Sequence, residues 1–176
     1  MADGKVKVFA GDGRGKSSAA IGIALRESLN GKKSIVIQFL KGRGLADSEL
    51  LHRLEPEIRV FRFEKCDAAD DERTPEQREE EISNIRNGFH YARKVLVTGE
   101  CDILILDEIL GVIDNNFISV DELKDLIELR GETSVILTGR SMPDELYGSV
   151  DDITELKTVR FRNYGNTETG AETACL

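Results

Sequence analysis

The chain has 176 residues, 40% of them hydrophobic, and 33 acidic against 24 basic side chains give it a net charge of −9. That length suits one α/β domain, and the acidic balance argues against broad electrostatic attachment to nucleic acid or anionic lipid. No apolar run approaches the roughly 20 residues of a membrane span, and the start lacks a signal-peptide core, so a cytoplasmic protein without a membrane or nucleic-acid partner is expected.

Strand and helix patterns alternate along the chain. Residues 5–10 read as a strand, and 16–29 as a helix with Ile21, Ala24, Leu25 and Leu29 on one side. Residues 34–40 form a buried strand, followed by a Lys41-Gly-Arg-Gly44 loop and a short helix near 46–54. Residues 58–63 alternate with period two, as a strand covered on one face does. A polar loop over 66–74 leads to Thr74-Pro75, a cap and a first-turn proline, which open a long helix. Its stripe of Ile82, Ile85, Phe89, Ala92 and Leu96 ends near Gly99. Residues 101–106 are the most apolar strand. A helix at 121–130, a strand at 134–138, a short helix after Pro143 and a final strand at 153–161 complete the pattern. Residues 1–162 are thus expected to form one nucleotide-binding domain, and 163–176, polar and rich in Gly and Thr, a mobile tail. Continuous apolar strands alternating with helices predict a mainly parallel sheet of five or six strands, with helices on both faces.

Charge is unevenly placed. Residues 1–44 hold nine bases and three acids, and residues 64–81 nine acids and three bases. The acidic block reads as a solvated face, whereas the bases surround a glycine-rich turn.

That turn, Ala10-Gly-Asp-Gly-Arg-Gly-Lys-Ser17, fits the Walker A pattern with Ala in place of the first Gly. Gly11, Gly13 and Gly15 allow successive N–H groups, with those of Asp12, Arg14 and Ser18 around them, to form a concave nest for phosphate oxygens. The helix that follows adds unpaired N-terminal donors and a positive dipole end. Lys16 can reach the terminal phosphates and the Ser17 hydroxyl can ligate Mg²⁺ or Mn²⁺. The motif lies between a strand and a helix, where its mechanics require it, and the fold predicted is a three-layer P-loop NTPase-like one. Asp107-Glu108, directly after the apolar run 103–106, has the Walker B form, an acid placed to hold the metal. Lys41 and Arg43 follow the second strand and Arg140 follows the strand 134–138, so these cations can face the same crevice beyond the strand ends.

Gly11-Asp-Gly-Arg-Gly-Lys-Ser-Ser-Ala-Ala20, Ile21-Gly-Ile-Ala-Leu-Arg26 and Ile37-Gln-Phe-Leu-Lys-Gly42 resemble the ATP:corrinoid adenosyltransferases of the CobA/CobO/BtuR type. The resemblance resumes at Leu106-Asp-Glu-Ile109, Leu137-Thr-Gly-Arg140 and Val150-Asp-Asp-Ile-Thr-Glu-Leu156, in the family's order and spacing. It implies transfer of the 5′-deoxyadenosyl group of ATP to corrinoid Co(I), with release of triphosphate. The acceptor would be cobalamin or cobyrinic acid a,c-diamide, in cobalamin biosynthesis or salvage. It further implies that Ser17 and Glu108 hold the metal, that Asp107 supports them, and that Arg26 and Arg140 contact phosphate or ribose. A homodimer and a flavoprotein reductant are implied in the same way. Where family members carry Gly-Phe-x-Trp, this chain has Phe61-Arg-Phe-Glu-Lys-Cys-Asp67 and no Trp anywhere, which makes Phe61 and Phe63 the candidates for corrinoid-facing aromatics, with a core role for these alternating strand aromatics as the other reading.

His52 and His90 lack ligand spacing and read as structural. Three cysteines, Cys66, Cys101 and Cys175, show no CxxC spacing and indicate neither a disulfide framework nor a zinc site. Two alternatives share the cradle: a phosphotransferase that moves the γ-phosphoryl group to a small acceptor, and a non-catalytic ATP- or corrinoid-binding homologue. Their products distinguish them.

Overall fold

Apolar five-residue runs set the strands. The computed structural model describes residues 4–40, 49–63 and 74–160. Within them lie β1 (Val6–Ala10), β2 (Ser34–Gln38), β3 (Ile58–Arg62), β4 (Ile103–Asp107), β5 (Ser134–Thr138) and β6 (Asp152–Glu155). They form one sheet in the order β3-β2-β4-β5-β1-β6, every pairing parallel. In β2 and β4 every residue is buried, as strands covered on both faces require.

The helices are α1 (Lys16–Ser28), α2 (Glu49–His52), α3 (Pro75–Thr98), α4 (Ile109–Asp114) and α5 (Val120–Glu128). Helix α1 lies on one face, where Ala20 and Ala24 pack against Val36, Ile103, Ile105 and Ile136. Helices α3, α4 and α5 cover the other, with Ile85, Phe89, Leu110, Leu123 and Ile127 against Ile35, Leu104 and Leu137. The sheet is therefore the middle of three layers.

Local chemistry explains the helix ends. Thr74 Oγ1 accepts the Gln77 N–H at 3.3 Å and Gln77 Oε1 accepts the Thr74 N–H at 2.9 Å, a reciprocal cap of the kind worth about 1 kcal/mol. Helix α3 ends at Gly99 in the left-handed region, as the sequence predicts. Ser119 and Glu122 cap α5 in the same reciprocal way.

Two elements differ in extent or presence from the sequence reading. The last strand stops at Glu155, because the next residue turns onto the glycine-rich loop: Leu156 O accepts the Gly13 N–H at 2.8 Å. Helix α4 is not predicted, since Ile109–Asp114 is short, apolar on several sides and interrupted by Gly111. The short helix expected after Pro143 is a 3-10 helix, Asp144–Ser149. No helix among the described residues is long and apolar enough to cross a membrane. The expected tail, most of the acidic block, Lys41, Arg43, Cys66 and Cys175 lie outside the described residues.

Candidate functional site

Because all six strands run the same way, their carboxyl ends share one edge, and only β5 separates the end of β1 from the end of β4. Residues 11–15 leave β1 and turn into α1, with Gly11 and Gly15 at φ of 112° and 100°. The Lys16 ammonium lies across this loop, donating to Gly11 O at 2.6 Å and Gly13 O at 2.9 Å. An ammonium has three donors, so two are engaged by the loop.

The loop N–H groups divide into two sets, where the sequence predicts a single nest. Gly11 N–H donates to Arg140 O and Gly13 N–H to Leu156 O, both at 2.8 Å, and Arg14 N–H donates to Thr158 Oγ1 at 3.2 Å. These bonds fasten the loop to β5 and to the segment after β6. A Cβ on Gly13 would stand 2.5 Å from the Leu156 carbonyl carbon and oxygen, so the close approach depends on glycine there. The second set lies at the start of α1. Its first intrahelical bond is Ala19 N–H to Gly15 O, so the N–H groups of Gly15, Lys16 and Ser18 have no acceptor within the helix. Gly15 provides no side-chain cap, and Asp12, Arg14, Gly15 and Ser18 are exposed around the opening. An uncapped helix start beside a lysine concentrates positive potential at this opening.

Asp107, the last residue of β4, is 1% exposed, and Ser17, Thr138 and Gln38 are among its donors. Its Oδ1 accepts Ser17 Oγ–H and Thr138 Oγ1–H, each at 2.7 Å, and its Oδ2 accepts Gln38 Nε2–H at 3.1 Å. Gln38 is level with Asp107 in the β2–β4 ladder, and Thr138 ends β5. Glu108 follows in the left-handed region (φ 66°), half-buried, with its N–H donating to Thr138 Oγ1 at 2.8 Å.

The structure thus brings Lys16, Ser17, Asp107 and Glu108 to one edge, and it is Asp107 that touches Ser17. Arg140 is exposed beside the loop. Arg26 is not brought to this edge: it sits roughly 14 Å along α1 from Ser17, and its guanidinium pairs with Glu27 at 3.1 Å. Sequence reasoning missed Gln38 and Thr138 as site residues. Both are polar side chains that follow three apolar residues at the end of a parallel strand, which is the signal the sequence carries for them.

Phe61 and Phe63 are half-buried and pack on Tyr91 of α3, with ring centroids 4.8 Å and 5.9 Å away. Burial pushes the Tyr91 phenol above its ordinary value. Phe63 also fits against Gly88, where a Cβ would stand 2.8 Å from its ring. His52 holds Glu55, and His90 is exposed on α3. A cavity of about 270 Å³, lined by Ile127, Arg130, Ser149 and Asp151 among others, lies at the opposite edge of the sheet. Its Arg130 guanidinium is held by the carbonyls of Gly4 and Ile127.

For a divalent ion, the donors here are one hydroxyl and two carboxylates, all hard oxygens. That set fits Mg²⁺, which favours one or two carboxylates with substrate phosphates and water. Among the described residues no cluster of three or more His, Cys, Asp or Glu side chains could hold a metal.

The family described as ATP:corrinoid adenosyltransferase BtuR/CobO/CobP matches the chain over residues 2–172. The corrinoid adenosyltransferase of Escherichia coli (strain K12) is 29% identical over 158 residues, covering 89% of this chain and 78% of that one. Corrinoid adenosyltransferase CobA of Salmonella typhimurium is 28% identical over 164 residues, with 89% and 78% covered. The corrinoid adenosyltransferase of Pseudomonas aeruginosa is 26% identical over 165 residues, with 89% and 76% covered.

Proposed function

The chain belongs to the ATP:corrinoid adenosyltransferase family, and on that premise we propose that it transfers the 5′-deoxyadenosyl group of ATP to the cobalt of a reduced corrinoid. The two electrons of Co(I) form the Co–C bond to C5′. The C5′–O bond breaks, and its electron pair leaves with inorganic triphosphate.

One observation carries this reading for the site itself: Ser17, at the start of the cradle helix, meets Asp107 at 2.7 Å. A polyphosphate seat and a carboxylate edge are thereby joined. The N–H groups at the start of α1 and the third proton of the Lys16 ammonium hold the triphosphate and stabilise the charge that grows on its leaving oxygen. Ser17 and Glu108 would hold Mg²⁺, with Asp107 orienting the Ser17 hydroxyl; when bound, the ion neutralises part of the triphosphate charge. Arg140, exposed at the same edge, is placed to contact phosphate or ribose. Catalysis then consists of leaving-group stabilisation and alignment of C5′ with cobalt, and no general base is required. Phe61, Phe63 and Tyr91 lie at the carboxyl end of the edge strand β3 and would offer an apolar wall to the corrin ring.

The test is incubation of the chain with ATP, Mg²⁺ and a chemically reduced corrinoid. The absorbance change of Co–C bond formation is expected only when all three are present. A corrinoid spectrum that stays unchanged overturns the proposal.

A further inference from the structure

Thr138 is fully buried at the end of β5, and its hydroxyl both donates and accepts. Its Oγ1–H donates to Asp107 Oδ1 at 2.7 Å. A backbone N–H only donates, so a Thr138 lone pair takes the Glu108 N–H at 2.8 Å. One oxygen thus fixes Asp107 by its side chain and Glu108 by its backbone. Glu108 holds a left-handed conformation (φ 66°) that residues with a Cβ disfavour, and the bond to Thr138 helps to keep it there.

The same strand end reaches the phosphate loop twice. Asp107 Oδ1 also accepts the Ser17 hydroxyl, and Arg140, two residues beyond Thr138, accepts the Gly11 N–H at 2.8 Å. The contacts close a circuit that runs from Gly11 to Arg140, along the chain to Thr138, to Asp107, to Ser17 and back into the loop. β5 is the strand between the cradle and the carboxylate edge, and Thr138 is its hydrogen-bonding link to the latter.

We propose that Thr138 is a positioning residue that couples the two halves of the site, so that the divalent ion and the triphosphate are gripped together rather than independently. The inference rests on the Mg²⁺–ATP reading given above and adds a thermodynamic consequence. Mg²⁺ should strengthen ATP binding through this hydroxyl, and its loss should weaken the metal-dependent part alone.

The experiment measures ATP affinity by calorimetry, in excess chelator and at saturating Mg²⁺, for the parent chain, Thr138→Val and Thr138→Ser. Valine keeps the volume and removes the hydroxyl; serine does the reverse. Thr138→Val is expected to weaken Mg²⁺–ATP binding by about 10–100-fold, the usual effect of losing an outer-shell partner, while metal-free ATP affinity stays unchanged. Thr138→Ser should retain the parent behaviour. Equal loss in both conditions, no loss in either, or serine failing where valine succeeds would each overturn the proposal, the last by marking a packing role. Should the valine chain fail to fold, Thr138→Ala carries the same expectation and the same overturning results. Intact coupling without corrinoid turnover overturns the transferase reading alone. A parent chain whose ATP affinity does not respond to Mg²⁺ overturns both.

Discussion

The Lys16 ammonium donates to the Gly11 carbonyl at 2.6 Å, so the lysine that would clamp a leaving group also braces the loop that forms the clamp. Lys16→Ala should therefore lose two functions, the charge on the triphosphate and the bridge between Gly11 O and Gly13 O. A fall in turnover of about 100-fold or more is expected, the scale of losing a leaving-group stabiliser. Turnover within a few-fold of the parent would refute the clamp.

Glu108 separates metal binding from backbone strain. Glu108→Gln keeps the shape and removes the charge, and should raise the Mg²⁺ concentration needed for half-maximal turnover. Glu108→Gly should raise this Mg²⁺ concentration as well, yet gain about 1 kcal/mol of stability by releasing the left-handed backbone at φ 66°. Metal titration and denaturant melts read the two effects separately. An unchanged titration in both variants would remove Glu108 from the metal site.

Gly139 lets the strand end carrying Thr138 and Arg140 pass close to α4. A Cβ there would stand 2.4 Å from Leu110 Cβ and 3.1 Å from its Cα, neither of which can swing aside. Gly139→Ala should destabilise the fold by about 2 kcal/mol through overpacking and weaken nucleotide binding with it. A melting temperature equal to that of the parent would contradict this packing.

Cys101 is buried, and burial pushes its thiol from 9.0 up to about 12. The folded chain therefore holds this proton more tightly than the unfolded one. The stability that this adds is complete below about pH 9 and is lost as pH rises towards 12. Peptide mapping after alkylation at mildly alkaline pH should find Cys101 unmodified in the folded chain and modified after unfolding. Over the alkaline range the parent should lose stability more steeply than Cys101→Ala. Equal slopes, or labelling of the folded chain, would count against this environment.

What could be read from the sequence was local. The apolar runs of β2 and β4 declare parallel strands because both faces are covered, and Thr74-Pro75 and Gly99 mark α3 through turn chemistry confined to a few residues. The glycine-rich turn from β1 into α1 is marked for the same reason. The partners of Asp107 were not legible, because Gln38 and Thr138 meet it only through the register of three strands distant in sequence. Nor could spacing reveal that Leu156 and Thr158 would take the N–H groups of Gly13 and Arg14, a contact made possible by a missing Cβ. Arg26 shows the converse: a resemblance in sequence implied a phosphate contact, but helix geometry carries its side chain to the far end of α1.

The most direct measurement is the phosphorus product formed with ATP, Mg²⁺ and reduced corrinoid, followed by ³¹P resonance as the cobalt–carbon bond forms. Inorganic triphosphate should appear in equal amount to adenosylated corrinoid, because the proposed displacement at C5′ would release the polyphosphate whole. ADP with a phosphorylated acceptor, or orthophosphate formed without alkylated cobalt, would show that the site cleaves a different bond.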